Sequence, residues 1–203
     1  MGNKEQPDEG LLGIAQQSIT LICEAAVCSY VECELPVQVE ADRVRLGQLQ
    51  ITSRALAGHL LECDRALVFA MTLGEEVDKL LQRYSLISSA VMLGLHAAAS
   101  ASLQGSCDRL EREVALRYNG CIRQQISPGC GDFAIETQEG ILRLLGARNK
   151  IGLSQTSAHM LVPVKSVTAA IGIGKQAIWE SQNRCISCQM KDCIYRRENN
   201  VGS

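Results

Sequence analysis

Six consecutive apolar residues, 66–71 (ALVFAM), lead into TLGEEVDKLLQRYS, the run that most constrains this chain. An uncharged stretch this short, bounded by a turn signal, reads as a buried strand. Its exit reads as a strand-to-helix turn: Gly74 marks the bend, and Glu75 and Glu76 suit the positive end of a helix dipole. The long segment that follows, about 86–118, is small and apolar in its first half (AVMLGLHAAASAS) and charged in its second (DRLEREVALR). A helix buried at one end and exposed at the other accounts for that gradient. Asn119-Gly120 closes it.

On either side the signals are shorter. Leu11, Leu12, Ile14, Ala15, Ile19 and Ile22 fall near helical spacing over about 9–31, and Pro36 stops that segment. Val37, Val39, Ala41, Val44 and Leu46 suggest a short strand kinked in the middle. Thr52 or Ser53 caps a helix through Glu62. Ser127-Pro128-Gly129 is a turn, 135–145 fits a short helix closed by Gly146, and 159–162 and 166–173 read as strands around Pro163. Together these elements predict an α+β fold: a single domain with a twisted, largely antiparallel sheet flanked by helices. The domain is expected over 1–182, with a short cysteine-bearing C-terminal tail over 183–203.

Composition removes several function classes. Twenty Lys and Arg against 22 Asp and Glu leave no cationic excess for a phosphate backbone, and 3% aromatics leave few stacking platforms. No nucleic-acid partner is expected. Residues 88–106 carry no formal charge but include His96, Gln104 and five serines, so a buried helix is expected there and no membrane span. The polar start MGNKEQPDEG has neither a secretory pattern nor Ser or Thr at position six for myristoylation, so a cytoplasmic setting is expected. In that setting the ten cysteines read mostly as free thiols and small core residues.

Other familiar chemistries lack their residues. Gly172-Ile173-Gly174-Lys175 resembles a phosphate loop only superficially, since Ala169 and Gln176 stand where a Walker loop needs Gly and Ser or Thr. His59, His96 and His159 are dispersed, with neither HExxH nor GxSxG around them. His96 is expected as a satisfied core histidine, His59 at the surface or a helix seam, and His159 near a site. Cys23, Cys28 and Cys33 recur every five residues and splay around a helix by about 140° per step, so they form no single stripe. Cys185, Cys188 and Cys193 are different. Their C-x2-C-x4-C spacing lets three thiolates converge on one zinc ion or an iron–sulfur cluster, one ligand short of four, and Cys107, Cys121 and Cys130 are candidates for the fourth.

Two stretches carry a family resemblance. Residues 121–133 read CIRQQISPGCGDF and 152–174 read GLSQTSAHMLVPVKSVTAAIGIG. In order, with ALVFAMTLGEEVD and AASASLQGSCDRLE upstream, they resemble the activation domain of cobalamin-dependent methionine synthase, especially its small stand-alone relatives. The resemblance covers most of 50–195 and extends to the cysteine-bearing tail. It implies a module that binds S-adenosylmethionine beside a cobalamin domain. After an electron donor reduces cob(II)alamin, the methyl group of that ligand traps the cobalt as methylcobalamin. Cobalamin would come from a partner, a cobalamin-dependent methyltransferase or corrinoid protein, and this chain would act in trans.

The residues implied at the ligand are Arg123, Gln125, Ser127, Pro128, Gly129, Cys130, Thr156 and Ser157. The Ser-Pro-Gly turn lets backbone approach a ligand closely. Gln125 and Cys130 stand where the family has Arg and Tyr, Ser157 where it has Glu, and Gln104 where relatives carry Glu. A guanidinium fork suited to a carboxylate and an aromatic face suited to a sulfonium are thereby lost. Weakened or lost adenosylmethionine binding on a retained fold is therefore expected. No residue is expected as a general acid or base, because methyl transfer to reduced cobalt needs alignment. The alternatives are a metal or iron–sulfur redox adaptor and a non-catalytic docking partner on the same fold.

Overall fold

The computed structural model describes residues 8–176. The buried run lies in β4 (Cys63–Thr72), which pairs antiparallel with β1 (Ser29–Glu40) on one side and β8 (Ser166–Gly174) on the other. β2 (Arg43–Leu46) and β3 (Leu49–Thr52) extend the sheet beyond β1, and β5 (Ile122–Ile126) extends it beyond β8. The six-stranded order is β3-β2-β1-β4-β8-β5, with every pairing antiparallel. β6 (Ser154–Gln155) and β7 (Leu161–Val162) form a separate small hairpin. The expected α+β architecture is what forms.

Alternation along β4 divides the core. Ala66, Val68 and Ala70 face α2 (Arg54–His59), α5 (Thr137–Leu145) and α6 (Ala147–Ile151), where Leu56, Ile141, Leu145 and Ala147 are buried. Leu67, Phe69 and Met71 face the second half of α4 (Ser89–Arg117), against Cys107, Leu110 and Val114. A third cluster joins α1 (Glu9–Ala25), α3 (Glu75–Ser85) and the first half of α4 through Ile22, Val77, Leu81 and Leu95. Burial on both faces is why β4 is continuously apolar.

Several expectations need correction. The helix expected over 9–31 ends at Ala25, because the Val27 N–H bonds the Leu73 carbonyl at 3.0 Å and Ser29 onward pairs with β4. Pro36 does not stop a helix; it sits within β1 where the pairing passes from β4 to β2, and its carbonyl accepts from Gly47 N. The kinked strand is a two-stranded hairpin, β1–β2, turning at Ala41 with φ 57°. α2 stops at His59, three residues before Glu62, and His159 precedes β7 at φ 58° instead of opening it.

The gradient along α4 runs opposite to expectation. Its apolar half buries Val91, Leu95 and Ala99, while its charged half buries Cys107, Leu110, Glu111, Val114 and Ala115. Apart from buried Glu111, charged residues such as Arg109, Arg112 and Glu113 occupy the outer side of a stripe that covers the sheet, and Leu93 stays 69% exposed in the apolar half. His96 is half-exposed beside Lys165, not a core histidine. The seven described cysteines are free thiols, but Cys107 alone among them is buried, so they are not mostly core residues. Cys185, Cys188 and Cys193 lie outside the described residues, as does the whole of the expected tail over 183–203.

Candidate functional site

β5 is an edge strand whose irregularity decides where its side chains go. Its pairing with β8 shifts between Ile122 and Gln125. Gln125 pairs with Ile171, which is buried on the α4 side, and its N–H donates to Glu111 Oε1 at 3.0 Å. Arg123 lies on the other face, over Gly172, where an added Cβ would stand 3.3 Å from its Cγ and 2.7 Å from Cys63 Sγ. Arg123 also meets Glu62 at 3.5 Å, while its Nε is buried without a hydrogen-bond partner. Arg123 and Gln125, two residues apart and implied at one ligand, thus stand on opposite faces of the sheet.

After β5 the chain makes the Ser127–Cys130 turn. Cys130 N donates to Ser127 O at 3.1 Å, Gly129 N to Phe133 O at 2.7 Å, and Phe133 N to Cys130 O at 3.0 Å. Pro128 is buried, Gly129 is exposed at φ 95°, and Cys130 is exposed. These bonds hold the turn's shape and leave Gly129 and Cys130 facing solvent, a cradle with little side chain.

The turn is anchored by Asp132. Its Oδ1 accepts from Ser53 Oγ at 2.7 Å and Ala55 N at 2.9 Å, and its Oδ2 accepts from Arg54 N at 2.9 Å. Three donors at the first turn of α2 hold this carboxyl down at about 2, with the Ala55 amide the largest cause. Gly131 permits the approach, since a Cβ there would lie 2.9 Å from Ala55 Cβ. His59, at the other end of α2, has its Nε2 2.5 Å from the Gln124 carbonyl. Burial pushes its pKa down, only partly opposed by that carbonyl, so the neutral ring donates from Nε2.

Thr156 and Ser157 belong to another opening. They line a cleft of about 570 Å³ with Arg143, Arg148, Asn149 and His159 at its rim and Leu142 and Leu153 at its floor. Buried Gln138 ties this region to the sheet, donating from Nε2 to Gln155 Oε1 at 3.1 Å and to His159 O at 3.0 Å and accepting at Oε1 from Thr168 Oγ1 of β8 at 3.4 Å. Arg123 lines a third region, a cleft of about 400 Å³ with Cys63, Cys121, Gly174 and Lys175. The implied site residues are therefore spread over the turn, two clefts and, for Gln125, the α4 side of the sheet. Sequence reasoning missed the anchoring of Asp132 although it stood inside the quoted motif; Gln138 and Arg148 had no signal at all.

The described residues bring no three His, Cys, Asp or Glu side chains together for a metal ion. No helix among them is long and apolar enough to cross a membrane.

An edge strand, a proline-glycine turn docked on a short helix, and a long helix beneath the sheet are set together in one α+β fold. The chain is similar to the crystal structure of the MetH reactivation domain bound to AdoHcy, with a TM-score of 0.64 at 14% identity. The match covers 85% of this chain and 67% of that one, and at this identity it establishes the fold. No family model matches the sequence, and no curated protein does.

Proposed function

We propose that this chain is an activation module that holds an adenosylmethionine-class ligand at the Ser127–Cys130 turn. It would assist reductive methylation of cob(II)alamin on a separate cobalamin-dependent methyltransferase or corrinoid protein, with electrons from a donor protein. The observation that carries this reading is the fold shared with a reactivation domain crystallised with AdoHcy. The docked Ser-Pro-Gly turn, with its exposed Gly129 backbone, supports it.

The residues present fit such a ligand in part. Gly129, exposed at φ 95°, offers close backbone approach. Neither a guanidinium nor an aromatic ring stands at 125 or 130. The bound ligand supplies the methyl group; this chain's part is to orient it, without acid or base chemistry.

Isothermal titration of the full chain with S-adenosylmethionine should therefore give a Kd above about 10 μM, less than roughly 7 kcal/mol of binding. Gln125→Arg with Cys130→Tyr should tighten it by about tenfold or more, the scale of a restored charged fork and ring face. A low-micromolar wild-type Kd that the double variant leaves unchanged would sink the idea that these positions limit binding. No heat for either protein would remove the ligand from the reading.

A further inference from the structure

The cleft between α5–α6 and the β6–β7 hairpin carries a set of hydrogen-bond donors that the methyl-donor reading does not use. Arg143 and Arg148 stand on the helical wall, and Thr156, Ser157 and His159 on the hairpin wall. Leu142 and Leu153 beneath them are buried and apolar. At about 570 Å³ the opening has the size of a small-molecule site. Glu139 is the one acid among the described lining residues, and it is already bound to Arg143 at 2.6 Å. Arg148 makes no ion pair among the described residues.

The hairpin wall is held in shape from inside. Thr156 N donates to Met160 O at 2.8 Å, His159 N to Thr156 O at 3.0 Å and Met160 N to Thr156 Oγ1 at 3.2 Å. These bonds close the tip and keep His159 at φ 58°, a left-handed backbone that is uncommon outside glycine. Behind it, the Gln138 amide nitrogen bonds the His159 carbonyl and Gln155 Oε1. The second of these bonds sets the Gln155 amide with its nitrogen towards His159 Nδ1, 3.5 Å away. With Nδ1 accepting, Nε2 is the ring's hydrogen donor. Thr156 Oγ1 accepts from Met160, so its own hydroxyl hydrogen is left to donate.

The lining thus sets donors on two walls over an apolar floor, with its carboxylate already paired. A carboxylate offers two oxygens in one plane; a phosphomonoester offers three and carries nearly two charges. We propose that this cleft binds a phosphomonoester. Arg148 and Arg143 pair with the phosphate oxygens, His159, Thr156 and Ser157 bond them from the hairpin, and the organic group lies on Leu142 and Leu153. The site is separate from the Ser127–Cys130 turn and stands independently of the methyl-donor reading.

The test titrates the full chain calorimetrically with phenyl phosphate, inorganic phosphate and benzoate at constant ionic strength. Phenyl phosphate should saturate with a Kd below about 1 mM. Inorganic phosphate, without a ring to cover the leucines, should bind about tenfold more weakly. Benzoate, with the ring but a smaller and less charged oxyanion, should also bind about tenfold more weakly. Arg148→Gln should weaken phenyl phosphate by at least about tenfold. Glu139→Gln releases Arg143 and should tighten it by about twofold, a gain that a damaged fold would not produce. His159→Asn puts in a residue that tolerates the left-handed backbone, and should weaken binding without lowering the melting temperature. Arg112→Gln, on the outer side of α4, should change nothing. Four results would each overturn the assignment. They are no saturation by phenyl phosphate, an unchanged affinity in Arg148→Gln, benzoate binding as tightly as phenyl phosphate, and displacement of phenyl phosphate by S-adenosylmethionine.

Discussion

Asp132 joins two parts of the chain 77 to 79 residues apart by accepting from Ser53, Arg54 and Ala55. Its ionised form makes all three bonds, so its pKa falls from an ordinary 3.8 to about 2. A carboxylate lowered in the folded state adds stability that is complete above pH 3.8 and is lost as pH falls through about 2. Asp132→Asn should therefore be less stable than wild type at neutral pH by urea denaturation. The gap should hold down to about pH 4 and close towards pH 2. A gap independent of pH would mean that packing, not ionisation, anchors the turn. The residue was legible inside the 121–133 stretch, three residues after the Ser-Pro-Gly turn, but its partners were not, because they come from a distant helix and its cap.

Two glycines of α4 show how the contacts of an element set the sign of the same substitution. At Gly94 a Cβ would stand 2.4 Å from Ser18 Oγ and 3.2 Å from Ile14 Cγ2, because α1 crosses there. At Gly105 nothing lies within 4 Å. Gly94→Ala should cost about 1–3 kcal/mol through overpacking, whereas Gly105→Ala should stabilise by about 0.5–1 kcal/mol by removing a helix glycine. Urea melts of the two variants check this, and equal effects would show that the crossing is looser than it stands here. The helix itself was readable from the 86–118 run, and Ser88 caps it, accepting from Val91 N at 3.4 Å. Which half it buries was not readable, since mean polarity conceals a stripe of Cys107, Leu110 and Val114 within a charged segment.

Across the whole molecule, β4 links the layers: its small side chains meet α5 and α6, and its large ones meet α4. Phe69 is fully buried at that second interface. Phe69→Ala should cost about 3–5 kcal/mol, the transfer loss plus an unfilled cavity. If unfolding is cooperative, the shift should coincide by far-ultraviolet dichroism and tyrosine fluorescence. Non-coincident curves would separate the α4 layer from the rest. The buried strand, its turn at Gly74, the closure of α5 at Gly146 and the α+β class followed from sequence, because each rests on local periodicity, turn chemistry or capping. The tertiary structure alone decided that 29–40 is a strand and not the end of a helix, since that stretch takes its form from the β4 edge it pairs with. It likewise placed Arg123 and Gln125 on opposite faces, because a shift in strand pairing is written in the partner strand as much as in β5.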